Sequence, residues 1–278
     1  MTYPIIVDTS HYEGLMDIDK TVSAGAAGII AKAGEGTYRA DRRVDNQFVN
    51  TIQNAKGKLV RGSYWFLSIN WSIRGQAQKY AGLLANDPLE IEPYVDFEQA
   101  RQFWTGVNPV LNKRGWVHLN FSHLDGFIFY FKEALKQYYP VWPWKSDIGI
   151  YTAEAYWNEY GTARDDYAKY PLWIAEPDPV LQPAPLRPWK TWKFWQYSFA
   201  EDGIKFGTDP LQAKGIDANY FNGSEEEYRK LFRLGDEPLP DPNEPPSSPT
   251  RNLKNVSVDA VRGRVTIEYT DGTWELRP

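Results

Sequence analysis

Eight short apolar segments, spread between residues 5 and 217, restrict what this chain can fold into more than any other feature. They are Ile5-Ile6-Val7, 28–33, 59–66, 91–98, 148–151, 171–174, 192–197 and 215–217, each too short for a buried helix and each readable as a strand. Unbroken apolar runs such as Ile5-Ile6-Val7 suit parallel strands covered on both faces. Helical patterns separate most of them, at about 18–24, 44–55, 72–85, 121–138 and 153–160, with a last one at 224–232. In the second of these, Val44, Phe48, Ile52 and Ala55 recur at helical spacing, and Gly57 closes it. Strands alternating with helices predict an α/β chain folded as an irregular (β/α) barrel of the TIM type. The irregularity lies late, where strands six to eight lack good intervening helices. Residues 99–117 are aromatic, contain Gly and Pro, follow no clear period and read as a long loop.

Barrel active sites lie at the C-terminal ends of the strands. Asp8, Glu35, Tyr64, Asp96, Glu98, Tyr151, Trp173, Gln196 and Asp217 all fall at or just beyond such ends. Acids and aromatics converging on one face point to a catalytic site. Within the fourth segment, Asp96 and Glu98 are two residues apart and therefore face the same way, their backbones about 6.6 Å apart. Side-chain choice can bring such carboxyls to the ~5–5.5 Å of a retaining glycosidase pair or leave them further apart. Ionising one raises the pKa of the other, which leaves one proton donor and one carboxylate near neutrality. The bland alternative is a solvated strand end with two chance acids. A buried Lys32 would need one of these acids as its partner.

Twelve Trp, 18 Tyr and 13 Phe make up 15% of the chain, a composition that suits either sugar stacking or a bulky core. No cysteine is present, which excludes disulfides and thiolate chemistry. His11, His118 and His123 are scattered, so no metal site and no cofactor is expected. A net charge of −5 argues against nucleic acid as partner. The start, Met-Thr-Tyr-Pro-Ile-Ile-Val-Asp, has no basic-then-apolar leader, and no apolar run is long enough to span a bilayer. The expectation is synthesis in a bacterial cytosol with no membrane insertion.

After the barrel, at 1–235, the composition shifts. Residues 236–249 hold six prolines and four acids, so 236–252 is expected to be an extended linker. In 253–278, Val256, Val258, Val265, Ile267, Tyr269 and Trp274 alternate around turn signals at Arg262-Gly263 and Asp271-Gly272, which predicts a small β segment. So few strands are marginal alone. The tail is expected to dock on the barrel, on a cell wall or in a larger particle such as a phage.

Eight blocks in order resemble glycoside hydrolase family 25, the lysozymes (β-1,4-N-acetylmuramidases) of phages, bacteria and fungi. Asp8-Thr9-Ser10-His11-Tyr12-Glu13-Gly14 is similar to the family's opening D-x-S-x-[WY]-[QE]-G. Ile30 to Thr37 resembles I-K-A-[TS]-E-G-T, with Gly34 where Thr or Ser is usual. Gly62-Ser63-Tyr64-Trp65-Phe66 resembles G-x-Y-H-F, with Trp65 in place of His, and Val95-Asp96-Phe97-Glu98 resembles L-D-x-E. Ile150-Tyr151-Thr152, Leu172 to Ala175, Trp195-Gln196-Tyr197 and Ile216-Asp217-Ala218-Asn219 match the later blocks. The resemblance covers roughly residues 3–233 and leaves out the 99–117 loop and the tail.

It implies that Glu98 is the general acid/base, that Asp96 is its carboxylate partner and that Asp8 and Asp217 flank the cleft floor. Tyr64, Tyr151, Trp173, Gln196, Glu35 and Asn219 are the expected substrate-binding residues; Tyr64, Tyr151 and Trp173 read either as cleft walls or as core, Glu35 reads more readily as a hydrogen-bonded structural acid than as a catalyst, and His11 as a hydrogen-bonding neighbour. The implied substrate is the glycan strand of peptidoglycan, cut with retention, in the manner of an endolysin or virion-associated lysin. Attack by Asp96 and attack by the sugar's own N-acetyl group both give retention. Two alternatives remain: a non-catalytic wall-binding module, and a hydrolase of another N-acetylhexosamine polymer. A chitinase-type D-x-D-x-E would need an acid where Tyr94 stands.

Overall fold

A computed structural model describes residues 3–36, 42–69, 71–98, 102–108, 113–177, 182–184, 186–232, 253–259, 264–269 and 274–277; for 42–46, 103–104 and the last three stretches it describes the backbone alone. In chain order the elements are β1 (Ile5–Thr9), α1 (Ile18–Ser23), β2 (Ala26–Glu35), α2 (Arg42–Ala55), β3 (Val60–Phe66), α3 (Ile73–Leu83), β4 (Tyr94–Asp96), β5 (Gln102–Trp104), β6 (Gly115–Val117), α4 (Phe121–Leu135), β7 (Gly149–Ala153), α5 (Glu154–Tyr160), β8 (Leu172–Ala175), β9 (Phe194–Asp202), β10 (Gly215–Phe221), α6 (Glu225–Phe232), β11 (Leu253–Asp259), β12 (Arg264–Tyr269) and β13 (Trp274–Arg277).

Eight strands close the expected barrel in the order β1-β10-β9-β8-β7-β4-β3-β2. Seven run parallel, and β10 is antiparallel to both neighbours, β1 and β9. The reason is the connection: residues 203–214 contain no helix, and parallel neighbours need a crossover that this short link does not supply. The eighth strand is also longer than expected, seven residues instead of three.

The period of two sorts each strand. Val7, Ile29, Val95, Ile150, Leu172, Ile174, Trp195 and Ala218 face outward, and most join a core between sheet and helices. Ile6, Ile30, Tyr94, Tyr151, Trp173, Phe194 and Phe221 fill the barrel interior. Continuing that alternation toward the mouth brings Asp8, Lys32, Asp96, Gln196 and Asp217 into line above the apolar filling. Bulky rings need room: a Cβ on Gly149 would lie 2.1 Å from the Tyr94 ring, so only glycine fits beside it.

Three expectations are corrected. Residues 102–104 and 115–117 form a small antiparallel hairpin, β5 with β6, within the stretch read as a loop; three-residue strands are too short to show a period. Strand β4 spans only Tyr94–Asp96, so Glu98 sits just past its end. A 3-10 turn at Asp165–Lys169 was not expected. Strands β11, β12 and β13 form a three-stranded antiparallel sheet in the tail. The linker at 236–252 and the turn signals at 262–263 and 271–272 lie outside the described residues.

Candidate active site

Asp8 lies near the end of β1, opposite Asp217 of β10. Because β10 is antiparallel, Asp217 reaches this end of the barrel from the start of its strand and not, as expected, from a C-terminal end. The Asp8 carboxylate is 6% exposed and accepts two hydrogen bonds on Oδ2, from Asn219 Nδ2 at 2.7 Å and from Gln196 Nε2 at 3.0 Å. Both amides are held in turn. Gln196 Nε2 also donates to Asp217 Oδ2 at 3.1 Å, and its Oε1 accepts from the Tyr151 hydroxyl at 2.7 Å. Asn219 Nδ2 donates to the Ile6 carbonyl at 3.0 Å, and its Oδ1 accepts from Trp173 Nε1 at 2.6 Å. Each amide thus has one allowed orientation, which fixes Asp8 from below.

On the other side of the mouth, Asp96 is 3% exposed, and its Oδ1 is buried without a hydrogen-bond partner. Burial raises its pKa well above the usual carboxylate range; the Glu98 charge adds to this and Lys32 opposes it. Burial also raises Glu98, while Lys32 and a hydrogen bond from Tyr151 pull it back. Tyr151 has a single proton for two neighbours, Gln196 Oε1 at 2.7 Å and Glu98. Asp217 is pushed up to about 7 by burial, then by Glu13 and Glu98. Burial and Asp217 raise Asp8, against the pull of its two amide hydrogen bonds.

Lys32 is 8% exposed and pairs with Glu35 at 2.8 Å, the acidic partner a buried lysine requires. Glu35 therefore stands as a charge partner at the rim. Tyr64 is half-buried and packs edge-on against Trp173, ring centroids 5.9 Å apart. Trp173 is 1% exposed and Asn219 fully buried; both lie beneath Asp8, which Asn219 bonds directly. Gln196, 2% exposed, is placed likewise. His11 Nδ1 is buried without a hydrogen-bond partner.

Sequence reasoning passed over Glu13. Its Oε2 accepts from the Ser10 backbone N–H at 2.6 Å and hydroxyl at 2.9 Å, and its charge acts on both Asp8 and Asp217. The signal was present, since Glu13 stands in the opening block beside Asp8. Two departures from the family pattern are explained together. Gly34 pairs with Trp65 across β2 and β3, and a Cβ on Gly34 would come within 2.6 Å of the Trp65 ring. The side chain missing at 34 makes room for the indole at 65, whose Nε1 donates to Gln76 at 3.2 Å. Among the described residues, no group of three or more His, Asp or Glu side chains is arranged to hold a metal ion, and no helix is long and apolar enough to cross a membrane.

The chain is similar to known proteins in sequence and fold. The sequence model of the glycosyl hydrolases family 25 matches residues 7–203. Lysozyme M1 of Streptomyces globisporus is 27% identical over 225 residues, which span 78% of this chain and 67% of that protein. The bacterial lysozyme from Streptomyces coelicolor has a similar crystal structure, with a TM-score of 0.59 and 25% identity over 84% of this chain and 97% of that one. The muramidase from Acremonium alcalophilum shares the fold at a TM-score of 0.58 and 23% identity, over 84% of this chain and 100% of that one. The family match covers most of the barrel, including Asp8, Asp96, Glu98 and Gln196, and on it this chain, a glycoside hydrolase, belongs to family 25 of the glycosyl hydrolases.

Proposed function

We propose that the barrel mouth hydrolyses the β-1,4 bond between N-acetylmuramic acid and N-acetylglucosamine in peptidoglycan, with retention of configuration. The observation that carries this is the acid pair at the end of β4: Glu98, partly exposed, with a raised pKa, beside a buried Asp96 whose Oδ1 has no protein partner. Glu98 donates its proton to the glycosidic oxygen as the bond to the anomeric carbon breaks. Asp96 then meets the positive charge at that carbon, either by attacking it or by holding the N-acetyl group that does. Glu98, now a carboxylate, takes a proton from the incoming water, whose oxygen bonds to the anomeric carbon as the bond from that carbon to Asp96, or to the N-acetyl oxygen, breaks and returns its electron pair to that group. Asp8 and Asp217, where ionised, add negative potential below the developing oxocarbenium ion. Clearing of a bacterial wall suspension, with reducing-end analysis of the products, tests this. Muramic acid at the new reducing ends, with β-configured primary products, is the expected result; glucosamine ends or inversion would refute it.

We propose also that residues 1–235 act as the catalytic unit and that the sheet of β11, β12 and β13 serves attachment to the wall or to a phage particle. Chain ended at residue 235 should keep its rate on a short soluble muropeptide and lose it on intact walls. Equal loss on both would make the tail part of the barrel's fold instead.

A further inference from the structure

At the end of the barrel away from the acids lies a cavity of about 390 Å³, a volume typical of small-molecule sites. The end of α4 and the residues just after it supply Lys132, Lys136 and Tyr139 to its wall; the segment that leads into β7 supplies Trp142, Lys145 and Asp147. Strand β7 starts at Gly149, so this segment lies where the strands begin, opposite the mouth that holds Asp96 and Glu98. Among the described lining residues, three lysines stand against one carboxylate, in a chain whose net charge is −5.

Lysines in the last turn of a helix often serve only to satisfy its final carbonyls. Here backbone donors take that role: the N–H groups of Lys136, Gln137, Tyr138 and Tyr139 bond to the carbonyls of Lys132, Ala134 and Leu135. The ammonium groups are not needed for it. Lys132 meets the Asp147 carboxylate at 2.6 Å, which takes at most two of its three N–H donors. Lys136 pairs with Glu133 at an exposed position, where such a pair holds weakly. Lys145 is exposed.

The two rings are fixed by their polar tips. Trp142 Nε1 donates to the Ser146 carbonyl at 2.8 Å, and the Tyr139 hydroxyl to the Leu84 carbonyl at 2.9 Å. Both residues are partly exposed, and with their tips occupied they offer ring surface in place of hydrogen bonds. Lys132 Nζ lies 5.4 Å from the Trp142 ring centroid, so charge and ring surface adjoin. A neighbouring cavity of about 180 Å³ shares Lys145 and Ser146 but is also lined by Glu90 and Glu92, which confine an anion to the first. Arginine's planar fork is the match for a carboxylate, whereas lysines are point charges that suit the oxygens of a phosphate. We propose that this cavity binds a phosphate group carried on a sugar or polyol, the ammonium groups meeting its oxygens and the rings its C–H faces. The acids at the mouth repel such a group. Bound at the opposite end, a phosphate-bearing polymer would hold the chain with its mouth free, whatever bond the mouth cuts.

The indole N–H resonance of Trp142 in the full-length protein, assigned with Trp142→Phe and followed by NMR during titration with glycerol 3-phosphate and glucose 6-phosphate, gives the test. It should shift saturably, and less readily as salt is added. Lys136→Gln and Lys145→Gln should each raise the Kd about three- to tenfold, and Glu133→Gln, which frees Lys136, should lower it about twofold. None of the three should alter the rate of cleavage of a short soluble substrate. A Kd indifferent to both lysines would overturn the proposal, as would an equal response to glycerol or glucose alone, or to glycerate with its carboxylate. Inorganic phosphate binding as tightly as its esters would show the rings idle and remove the sugar or polyol. A response that appears only after Asp236, Glu237, Asp241 and Glu244 are replaced by their amides would make the chain's own acids the occupant and overturn it too.

Discussion

The two ends of the barrel treat charge in opposite ways. At the N-terminal end, Glu92 is 3% exposed, and both its oxygens accept from Lys193 Nζ at 2.7 Å while Oε1 also accepts from Tyr94 at 2.9 Å. Arg61, 2% exposed, is held by Asp87 at 2.8 Å and Glu90 at 2.7 Å. At the C-terminal end Asp8, Asp96, Glu98 and Asp217 crowd together with raised pKa values, and Lys32 is the cation that acts on Asp96 and Glu98. Paired buried charges at one end fix strand ends; crowded acids at the other keep protons ready for transfer. Substitutions at the two ends should therefore fail in different ways.

Glu98→Gln gives the sharpest contrast. Loss of the transferable proton should cut wall lysis about 10²- to 10⁴-fold, while thermal melting shows no destabilisation because a half-buried carboxyl, whose charge burial disfavours, becomes a neutral isostere. Activity within threefold of the parent would remove Glu98 from its role. Lys193→Met should do the reverse. Leaving Glu92 buried without its cation should cost about 3–5 kcal/mol in urea unfolding, with the rate of the folded protein nearly unchanged. If the stability were unaffected, the difference between the two ends would not hold.

Only the acid-rich half of this contrast was legible in the sequence. The apolar run 28–33 reads as a barrel strand, which the structure extends to Ala26–Glu35, and Asp96-Phe97-Glu98 announces a pair of acids. Local pattern does not carry direction, so the antiparallel course of β10 appeared only with the pairing of Asp8 and Asp217. Nor does it reveal depth. Trp173, Gln196 and Asn219 stand at strand ends, and tertiary packing seats them under the floor. The hairpin of β5 and β6 stayed hidden because three residues make no period.

A smaller effect probes that floor. Gln196→Leu removes one donor each from Asp8 and Asp217 and the acceptor of Tyr151. About 1–3 kcal/mol of stability should go, and the freed Tyr151 proton should turn to Glu98 and favour its carboxylate. The alkaline limb of the pH–rate profile should then move toward acid; a limb displaced toward alkali would contradict this geometry. Lys32→Met acts in the opposite sense. Its charge lowers both Asp96 and Glu98, so its removal should carry both limbs of the profile about one unit toward alkali. Unmoved limbs would mean that Lys32 serves Glu35 alone.

The smallest expected effect lies in the pH dependence of stability and follows from Asp217. Its carboxyl is raised from 3.8 to about 7, so the folded chain holds this proton more tightly than the unfolded chain does. The contribution to stability is complete below about pH 4 and is lost as the pH rises through about 7. Asp8 and Asp96 are also raised and act with the same sign. The melting temperature should therefore fall between pH 4 and pH 7, against the habit of proteins whose carboxylates are paired. Asp217→Asn removes one of these groups and should flatten the fall. The site is partly exposed, so screening holds the change to about 1 kcal/mol, or about 3 °C across that interval. A melting temperature that rises over the same range would show the acids at the mouth to be paired like those at the opposite end, and an Asp217→Asn slope equal to the parent's would place the excess proton on Asp8 or Asp96 instead.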